Sequence, residues 1–328
     1  MRRHGQREKR GEAAGRRGRL AREIGLALLY LGLGVVSGLV WARLANLQAL
    51  PQWHLEMILG QAPAPNQYRP LTPWLAQLLV FVLPGRNLFV AYLLVRSLVT
   101  GATLLLFDRY MRVWFSPAAA AAGALCLAAI LPFTYLHVVQ ESDPINLLVF
   151  VVAFWALARG RDALLFPLVL VGTLNRETTA MVPALYLVAR WGRRPMSQVV
   201  WRTAGLVGAW ALIYLSMVWL FYGRREYYCD VMMWRTNVES WTPTIQVLLV
   251  FGVMWVLAFA AAKRGPLLLR RALWLLPGFV ILHYLVAMVR EVRLFLPLAP
   301  LVIPLAWCVL LPEARQDGGD TEVGHQNG

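Results

Sequence analysis

Long stretches without a charged residue are the feature of this sequence that most limits how it can fold. Five such stretches, each 18 to 23 residues long, occupy residues 24–42, 203–223, 240–262, 272–289 and 294–312. In an α-helix, about 20 apolar residues at about 1.5 Å per residue cross a hydrocarbon core of about 30 Å. Each stretch is therefore predicted to be a membrane-spanning helix.

Three further spans are predicted from apolar segments that are less regular. Residues 117–136 lie within a longer uncharged stretch, residues 144–158 are few and begin at a proline, and residues 87–107 contain Arg96. Together with the five long stretches they predict an all-α fold, a polytopic transmembrane helix bundle of about eight full spans. Gly34 and Gly38 form a GxxxG pattern in the first span, which predicts close helix packing inside the bundle.

The composition excludes a soluble globule and a disordered chain. The chain is 59% hydrophobic and only 15% charged, whereas soluble domains are about 45–50% apolar and about 25% charged. Its 14 Trp, 13 Phe and 11 Tyr are too many buriable rings for a solvated chain. The three cysteines lie far apart in sequence, so neither a disulfide framework nor a paired-cysteine metal site is expected.

The positions of Lys and Arg predict the orientation, because short cytoplasmic segments are enriched in them. Residues 1–23 form a basic tail that is predicted to be cytoplasmic, and further basic clusters are assigned to the same side, at 109–112, 159–161, 190–202 and 263–271. The net charge of +15 is thus interpreted as a topology signal and a lipid-facing coat, and no nucleic-acid binding is expected. The domain organisation predicted is this tail, a transmembrane domain at 24–311 and a disordered tail at 312–328.

Two segments do not fit this orientation as full spans. Residues 163–175 and 178–189 lie between basic clusters, yet each is only about 18–20 Å long as a helix. They are predicted to form a short helical hairpin whose tip lies at membrane depth or near the outer face. Residues 74–83 are predicted to be an interfacial helix on the outer face, within an extracytoplasmic loop at 43–86.

With these assignments, most charges inside helices and in outer loops fall at one predicted face. A charged side chain at bilayer depth costs about 2.5–3.5 kcal/mol on insertion scales, so such residues need partners or a function. Two structural alternatives stay open: Arg176 and Glu177 could form an ion pair, and Arg96 could extend to the headgroups. The residues at this face are Glu56, Tyr68, Arg69, Arg96, Glu141, Asp143, Arg176, Glu177, Arg290, Glu291 and Arg293.

The order of these residues resembles the GT-C superfamily of polytopic glycosyltransferases, whose sugar donors are polyprenyl phosphates or diphosphates. Each matching segment is nonspecific alone, and the resemblance, which covers about residues 20–310, depends on their order and common face. The matching pieces are QYRPLTPW at 67–74, Arg96 in the next helix, ESDP at 141–144, GTLNRET at 172–178 and REVRLFLPLAP at 290–300.

The resemblance implies a carboxylate base early in the first outer loop, but residues 44–52 contain no acid. Glu56 is the only carboxylate of that loop, so the base is assigned to Glu56, Asp143 or Glu141, or catalysis has been lost. The chemistry also needs cations on the lipid phosphate, and arginine suits this task because its fork binds phosphate oxygens in pairs. The substrate-binding set is Arg69, Arg176 and Arg293 at the phosphate, Glu141 and Glu177 as orienting partners, and Tyr68, Arg96, Arg290 and Glu291 around them.

The resemblance implies an integral membrane glycosyltransferase that moves a hexosyl or pentosyl group from a polyprenyl-phosphate donor to a glycan, lipid or protein acceptor. It would act at the extracytoplasmic face of the cell (inner) membrane, in envelope glycan or glycolipid synthesis. No cofactor is assigned; a divalent cation stays open, since acidic loop residues could bind one, although no ligand spacing demands it. The alternatives are a transporter or flippase of lipid-linked sugars, disfavoured by the lack of an internal repeat, and a non-catalytic membrane subunit.

Overall fold

The structure, a computed structural model, describes residues 2–135, 141–221, 232–239 and 242–314. These residues are 84% helical and contain no strand, which confirms the predicted all-α class. The α-helices are α1 (Arg2–Leu44), α2 (Leu50–Ile58), α3 (Leu71–Val82), α4 (Leu88–Met111), α5 (Pro117–Ile130), α6 (Asp143–Ala158), α7 (Leu165–Asn175), α8 (Met181–Arg190), α9 (Met196–Phe221), α10 (Trp234–Glu239), α11 (Thr242–Phe251), α12 (Met254–Ala260), α13 (Leu267–Ala272), α14 (Leu276–Val286) and α15 (Ala299–Leu310).

Six helical segments in the described residues are long and apolar enough to cross a membrane, and they indicate a multi-pass membrane protein. They are Leu20–Leu44, Leu88–Met111, Pro117–Thr134, Met196–Phe221, Leu267–Val286 and Val292–Leu310. The bent pair Thr244–Phe251 and Met254–Lys263 makes a seventh if it is counted as one span.

The predicted straight span at 240–262 is bent by 74° in the structure. The helix breaks at Gly252, whose φ of +52° lies in the left-handed region that glycine adopts without steric cost. The predicted span at 144–158 corresponds to α6, which has 16 residues and is about 24 Å long. The ends of three predicted spans, at 136, 222–223 and 240–241, and the tail from 315 onward lie outside the described residues.

The first and fourth helices pack unusually closely, and they run antiparallel. A Cβ atom built on Gly34 would lie 2.3 Å from the backbone oxygen of Ser97, and one built on Gly38 would lie 2.5 Å from the Ser97 side chain. Gly101 of α4 in turn faces Leu31 of α1. The GxxxG pattern therefore serves contact within the bundle, where the absence of side chains lets two backbones approach.

The segment from α7 to α8 doubles back on itself. Asp162, just before α7, binds Arg190 at the end of α8, so the two ends of the segment meet. Gly172 near the end of α7 faces Thr179, and a Cβ atom there would lie 2.9 Å from the threonine hydroxyl. The residues between α7 and α8 are thus the tip of a helical hairpin, and they lie far from its base.

The helices differ greatly in how much of their surface the protein covers. In an 18-residue apolar stretch of Val292–Leu310, 78% of the residues are buried, against 17% in such a stretch of Met196–Phe221. The segment that contains α15 is therefore central and α9 is peripheral. The apolar face that α9 leaves uncovered is suited to a hydrocarbon surrounding rather than to water.

Candidate functional site

The hairpin tip is held in place by the buried amide of Asn175. Its Nδ2 donates to the backbone oxygen of Ser142 at 2.9 Å, and its Oδ1 accepts from the Thr72 hydroxyl at 3.0 Å. These bonds connect the end of α7 to the beginnings of α6 and α3. They place Arg176 and Glu177 against two segments that are distant in sequence.

Asp143 is the centre of the site. It is the first residue of α6, where the helix dipole favours a carboxylate. Arg176 donates to it through Nη1 at 2.6 Å, and Arg293 donates through Nη1 to both carboxylate oxygens at 3.1 and 3.0 Å. Asp143 and Arg293 are 150 residues apart in the chain. Three residues predicted from the sequence therefore meet at one point.

Glu177 does not pair with its neighbour Arg176, so the ion pair considered as one alternative is not formed. Arg176 has an extended backbone, with φ −163° and ψ 138°, and successive side chains of an extended segment point in opposite directions. Glu177 instead accepts from Nε and Nη2 of Arg69, with a distance of 2.9 Å at Nε. This fork-like pairing is the strongest geometry for an arginine and a carboxylate.

Arg293 completes the group by donating through Nη2 to Glu291 at 2.8 Å. We use "arginine cluster" for Arg69, Arg176 and Arg293 together with Asp143, Glu177 and Glu291. Arg290 lies at its edge: its side chain is exposed and contacts the sulfur of Met288 at 3.6 Å. Tyr68 is buried next to Arg69 and meets the ring of Tyr214 edge to face, with the ring centroids 6.2 Å apart.

Glu141 approaches the cluster from another side. Its Oε2 accepts from the indole Nε1 of Trp53 at 3.2 Å, and its charge acts on both Arg69 and Arg293. The other oxygen, Oε1, accepts no hydrogen bond from the described part of the chain. Glu141 is therefore a carboxylate beside the arginines that is not fully occupied by them.

Arg96 is buried, with only 5% of its surface exposed. Its guanidinium lies over the rings of Trp41 and Tyr135, at 4.8 and 4.7 Å from their centroids. The alternative that it extends to the headgroups does not hold, because cation–π contacts on two rings keep it inside the bundle. It lines the same small cavity as Asp143.

Glu56 does not join the other predicted residues. It accepts a hydrogen bond from Gln52, one turn earlier in α2, at 3.0 Å. Among the described residues it has no hydrogen bond or ion pair with the arginine cluster. The helix turns Trp53 toward Glu141 instead, so the expectation that Glu56 converges with Asp143, Arg176 and Arg293 is corrected.

The electrostatics of the cluster keep its carboxylates ionised. Burial alone would raise the pKa of Glu177, but the Arg69 and Arg176 charges outweigh it and lower that pKa to about 2. Asp143 is likewise buried between the Arg176 and Arg293 guanidiniums, whose charges favour its ionised form. Both groups are therefore weak proton acceptors at neutral pH, and their role is to hold arginines.

Two guanidinium N–H groups of the cluster have no acceptor in the part of the chain that the structure describes. The Nε atoms of Arg176 and Arg293 are buried and make no hydrogen bond to any described residue. A buried donor without an acceptor costs about 1–3 kcal/mol, so such groups normally face a ligand or water. Two buried N–H donors without an acceptor, on guanidiniums that share the Asp143 carboxylate, are what an anion-binding site provides.

Some residues of this site were not singled out in the sequence. Trp53 binds Glu141, and Trp210 donates to the backbone oxygen of Glu177 at 3.1 Å, yet nothing in their neighbourhoods separates them from the other tryptophans. His283 is buried, stacks on Phe279 and donates from Nδ1 to the Phe279 backbone oxygen at 2.8 Å. Asn175 lies within the GTLNRET segment, and the sequence signal for it is a lone amide at the end of an apolar helix.

The described residues contain no preformed set of ligands for a divalent cation. No group of three or more His, Cys, Asp and Glu side chains there is arranged to hold a metal ion. Asp143, Glu177 and Glu291 each already bind a guanidinium.

The comparisons with known proteins identify no relative: no protein-family model, no curated protein and no solved structure matches this chain.

Proposed function

We propose that this chain is a membrane glycosyltransferase with a GT-C-like bundle, and that the arginine cluster binds the phosphate of a polyprenyl-phosphate sugar. The observation that carries the proposal is the convergence of Arg69, Arg176 and Arg293 in one buried group with two unfilled N–H donors. Arginine fits this ligand because its planar fork matches phosphate oxygens and its charge persists when it is buried.

The carboxylates of the cluster support this function indirectly. Asp143 and Glu177 fix the guanidiniums before any ligand arrives, so little reorganisation is needed when negative charge develops on the leaving phosphate. We assign the start of the lipid tail to a small apolar cavity between neighbouring helices. It is lined by residues of α6, α8, α14 and α15, among them Phe150, Phe154, Leu185, Phe279 and Leu301.

Glu141 is the base that fits best. Asp143 and Glu177 use both carboxylate oxygens on arginines, and Glu56 is bound only within its own helix. In the proposed step, Glu141 takes the proton of the acceptor hydroxyl, and the acceptor oxygen forms a bond to the anomeric carbon. The bond from that carbon to the phosphate oxygen breaks, and its electron pair leaves on the phosphate held by the arginines.

The proposed arrangement keeps eight spans, the six long helices, the bent pair and α6. The α7–α8 hairpin enters from the cytoplasmic side and returns to it, and its tip reaches the arginine cluster. The N-terminus is cytoplasmic and the arginine cluster faces the extracytoplasmic side of the cell (inner) membrane. The acceptor is a glycan, a lipid or a protein, and the product belongs to the cell envelope.

The test is transfer of label from a radiolabelled polyprenyl-phosphate hexose to an acceptor extract by purified protein. Arg176→Lys keeps the charge but loses the fork, and we expect kcat/KM to fall at least about 100-fold. Arg109→Lys, at an exposed site on α4, is the matched control and retains activity. Glu141→Gln abolishes transfer while Glu56→Gln retains it. Full transfer by Arg176→Lys would refute the phosphate site.

One observation favours the transporter alternative: the 74° break between α11 and α12, since broken helices are common at transporter binding sites. The two functions differ in a simple measurement. A glycosyltransferase consumes the labelled lipid-linked sugar, whereas a flippase moves it unaltered across a vesicle membrane.

A further inference from the structure

A second group of arginines lies at the base of the α7–α8 hairpin, where α8, α9 and α13 meet. We use "basic patch" for Arg190, Arg193, Arg194, Arg202 and Arg271 around the one carboxylate of Asp162. Arg190 binds Asp162 through Nε at 3.0 and 3.1 Å, and Arg271 donates to the backbone oxygen of Ala189 at 3.2 Å. Arg193 lies close enough to Arg271 for its charge to act on it.

The patch has far more positive than negative charge. Asp162 is buried and is already hydrogen-bonded by Arg190, while Arg194 and Arg202 lie 3.8 and 3.9 Å from it, beyond hydrogen-bond distance. The side chains of Arg194 and Arg202 are 41% and 47% exposed. Within the described residues neither makes a hydrogen bond, so their forks are available to an anion that would relieve the repulsion among these cations.

The surroundings of the patch indicate that this anion is carried by a lipid. Trp191 and Trp201 flank it with 54% and 77% of their surfaces exposed, and Val200 between them is 51% exposed. The patch lies at the beginning of α9, whose surface is largely uncovered by protein. Tryptophan favours the boundary between headgroups and hydrocarbon, and basic pockets between helices at that depth bind acidic headgroups.

We propose that the basic patch is a binding site for an anionic glycerophospholipid. Arg194 and Arg202 hold the headgroup phosphate, Arg193 and Arg271 add positive potential, and the acyl chains lie along the exposed face of α9. Asp162 positions the group by fixing Arg190 between the ends of the hairpin. A zwitterionic lipid is disfavoured because the patch repels its ammonium group. This site is separate from the arginine cluster and does not depend on the glycosyltransferase function.

The experiment is a lipid titration of the purified full-length protein by native mass spectrometry. Phosphatidylglycerol and phosphatidylcholine with the same acyl chains are compared for the wild type and for Arg194→Gln/Arg202→Gln. We expect the wild type to bind phosphatidylglycerol at least about 10-fold more tightly, and the double variant to lose most of this preference. Arg109→Gln, which removes an exposed arginine elsewhere, is the control and keeps it.

Folding is checked by size exclusion and by thermal unfolding, and Arg193→Gln serves as a second variant that should weaken the preference in part. The proposal is overturned if the wild type does not distinguish the two lipids, or if the double variant keeps the full preference. It is also overturned if inorganic phosphate at the same concentration competes as well as the lipid, because the acyl chains would then contribute nothing.

Discussion

Asp143 holds two guanidinium groups in a buried environment: it is the ion-pair partner of Arg176, and it shares Arg293 with Glu291. Its side chain is 7% exposed, and those of Arg176 and Arg293 are 4% and 12% exposed. Removing the carboxylate would leave Arg176 without its ion-pair partner, next to the like charge of Arg293, which would keep only Glu291 as an ion-pair partner. The carboxylate is therefore expected to be essential for the folded arrangement, independently of any catalytic role.

Replacement of this carboxylate tests that argument. Asp143→Ala is expected to lower the free energy of unfolding by about 3–5 kcal/mol, the usual cost of breaking one side of a buried pair. The measurement is denaturant unfolding in detergent. Glu23→Ala is the control: Glu23 is 40% exposed in its pair with Arg112, so its loss should cost less than about 1 kcal/mol. Equal losses in both variants would contradict the account of Asp143.

The lowered pKa of Glu177 predicts how the free energy of unfolding depends on pH. Its pKa is lowered from 4.5 to about 2 in the folded protein, so the unfolded chain binds this proton more readily. The stability that Glu177 contributes is complete above pH 4.5 and is lost as pH falls toward 2. Glu177→Gln should be less stable at neutral pH but should lose less further stability over this interval. Parallel curves for wild type and variant, from unfolding at a series of pH values, would show that the Arg69 pairing is not stabilising.

At the scale of elements, the contact between α1 and α4 depends on glycine. Gly34→Ala would place a methyl group 2.3 Å from the Ser97 backbone oxygen, which forces the helices apart. We expect a loss of about 1–3 kcal/mol in thermal unfolding. Gly32→Ala is a matched control in the same helix, since nothing lies within 4 Å of its Cβ position. A loss of stability in Gly32→Ala as large as that in Gly34→Ala would remove the packing explanation.

Sequence patterns predicted those features of the helices that depend on one segment of the chain alone. The uncharged stretches indicated the long apolar helices, and the limited length of 163–175 and 178–189 indicated a hairpin rather than two spans. The bend at Gly252 was not predicted, because the hydropathy of a segment contains no information on the direction of its helix axis. A single glycine in an apolar stretch is also common. Gly252 has a positive φ, and α12, which follows it, packs against α15.

The candidate site was predicted only in part for a different reason. The order of charged residues along the chain showed which segments share a face, and Asp143, Arg176 and Arg293 do meet. Which acid binds which arginine depends on side-chain directions after the helices pack. The sequence therefore could not show whether Glu177 binds Arg69 or Arg176. It also could not exclude Glu56 from the arginine cluster.

On the scale of the whole molecule, the two arginine groups lie at opposite ends of the same helices. α6 begins at the arginine cluster and ends near Asp162, and its 16 residues span about 24 Å. Exposed tryptophans mark similar limits on α9: Trp201 and Trp219 are 77% and 82% exposed and lie about 27 Å apart along the helix. This spacing is close to the thickness of a hydrocarbon core, about 30 Å.

The proposed orientation can be tested by cysteine labelling. In a variant without the native Cys126, Cys229 and Cys308, Gln61→Cys lies in the loop before Arg69, and Ala163→Cys lies beside Asp162. Both positions are exposed. In intact cells a membrane-impermeant maleimide should label Gln61→Cys, and it should label Ala163→Cys only after permeabilisation. The reverse pattern would place the arginine cluster on the cytoplasmic side.

The most direct test of the central claim is an experimental structure of the protein with polyprenyl phosphate bound. The account predicts the phosphate within hydrogen-bond distance, about 3.2 Å or less, of guanidinium nitrogens of Arg176 and Arg293, with the lipid chain leaving toward Phe150 and Leu185. A phosphate bound away from these arginines, with the cluster unchanged, would contradict it.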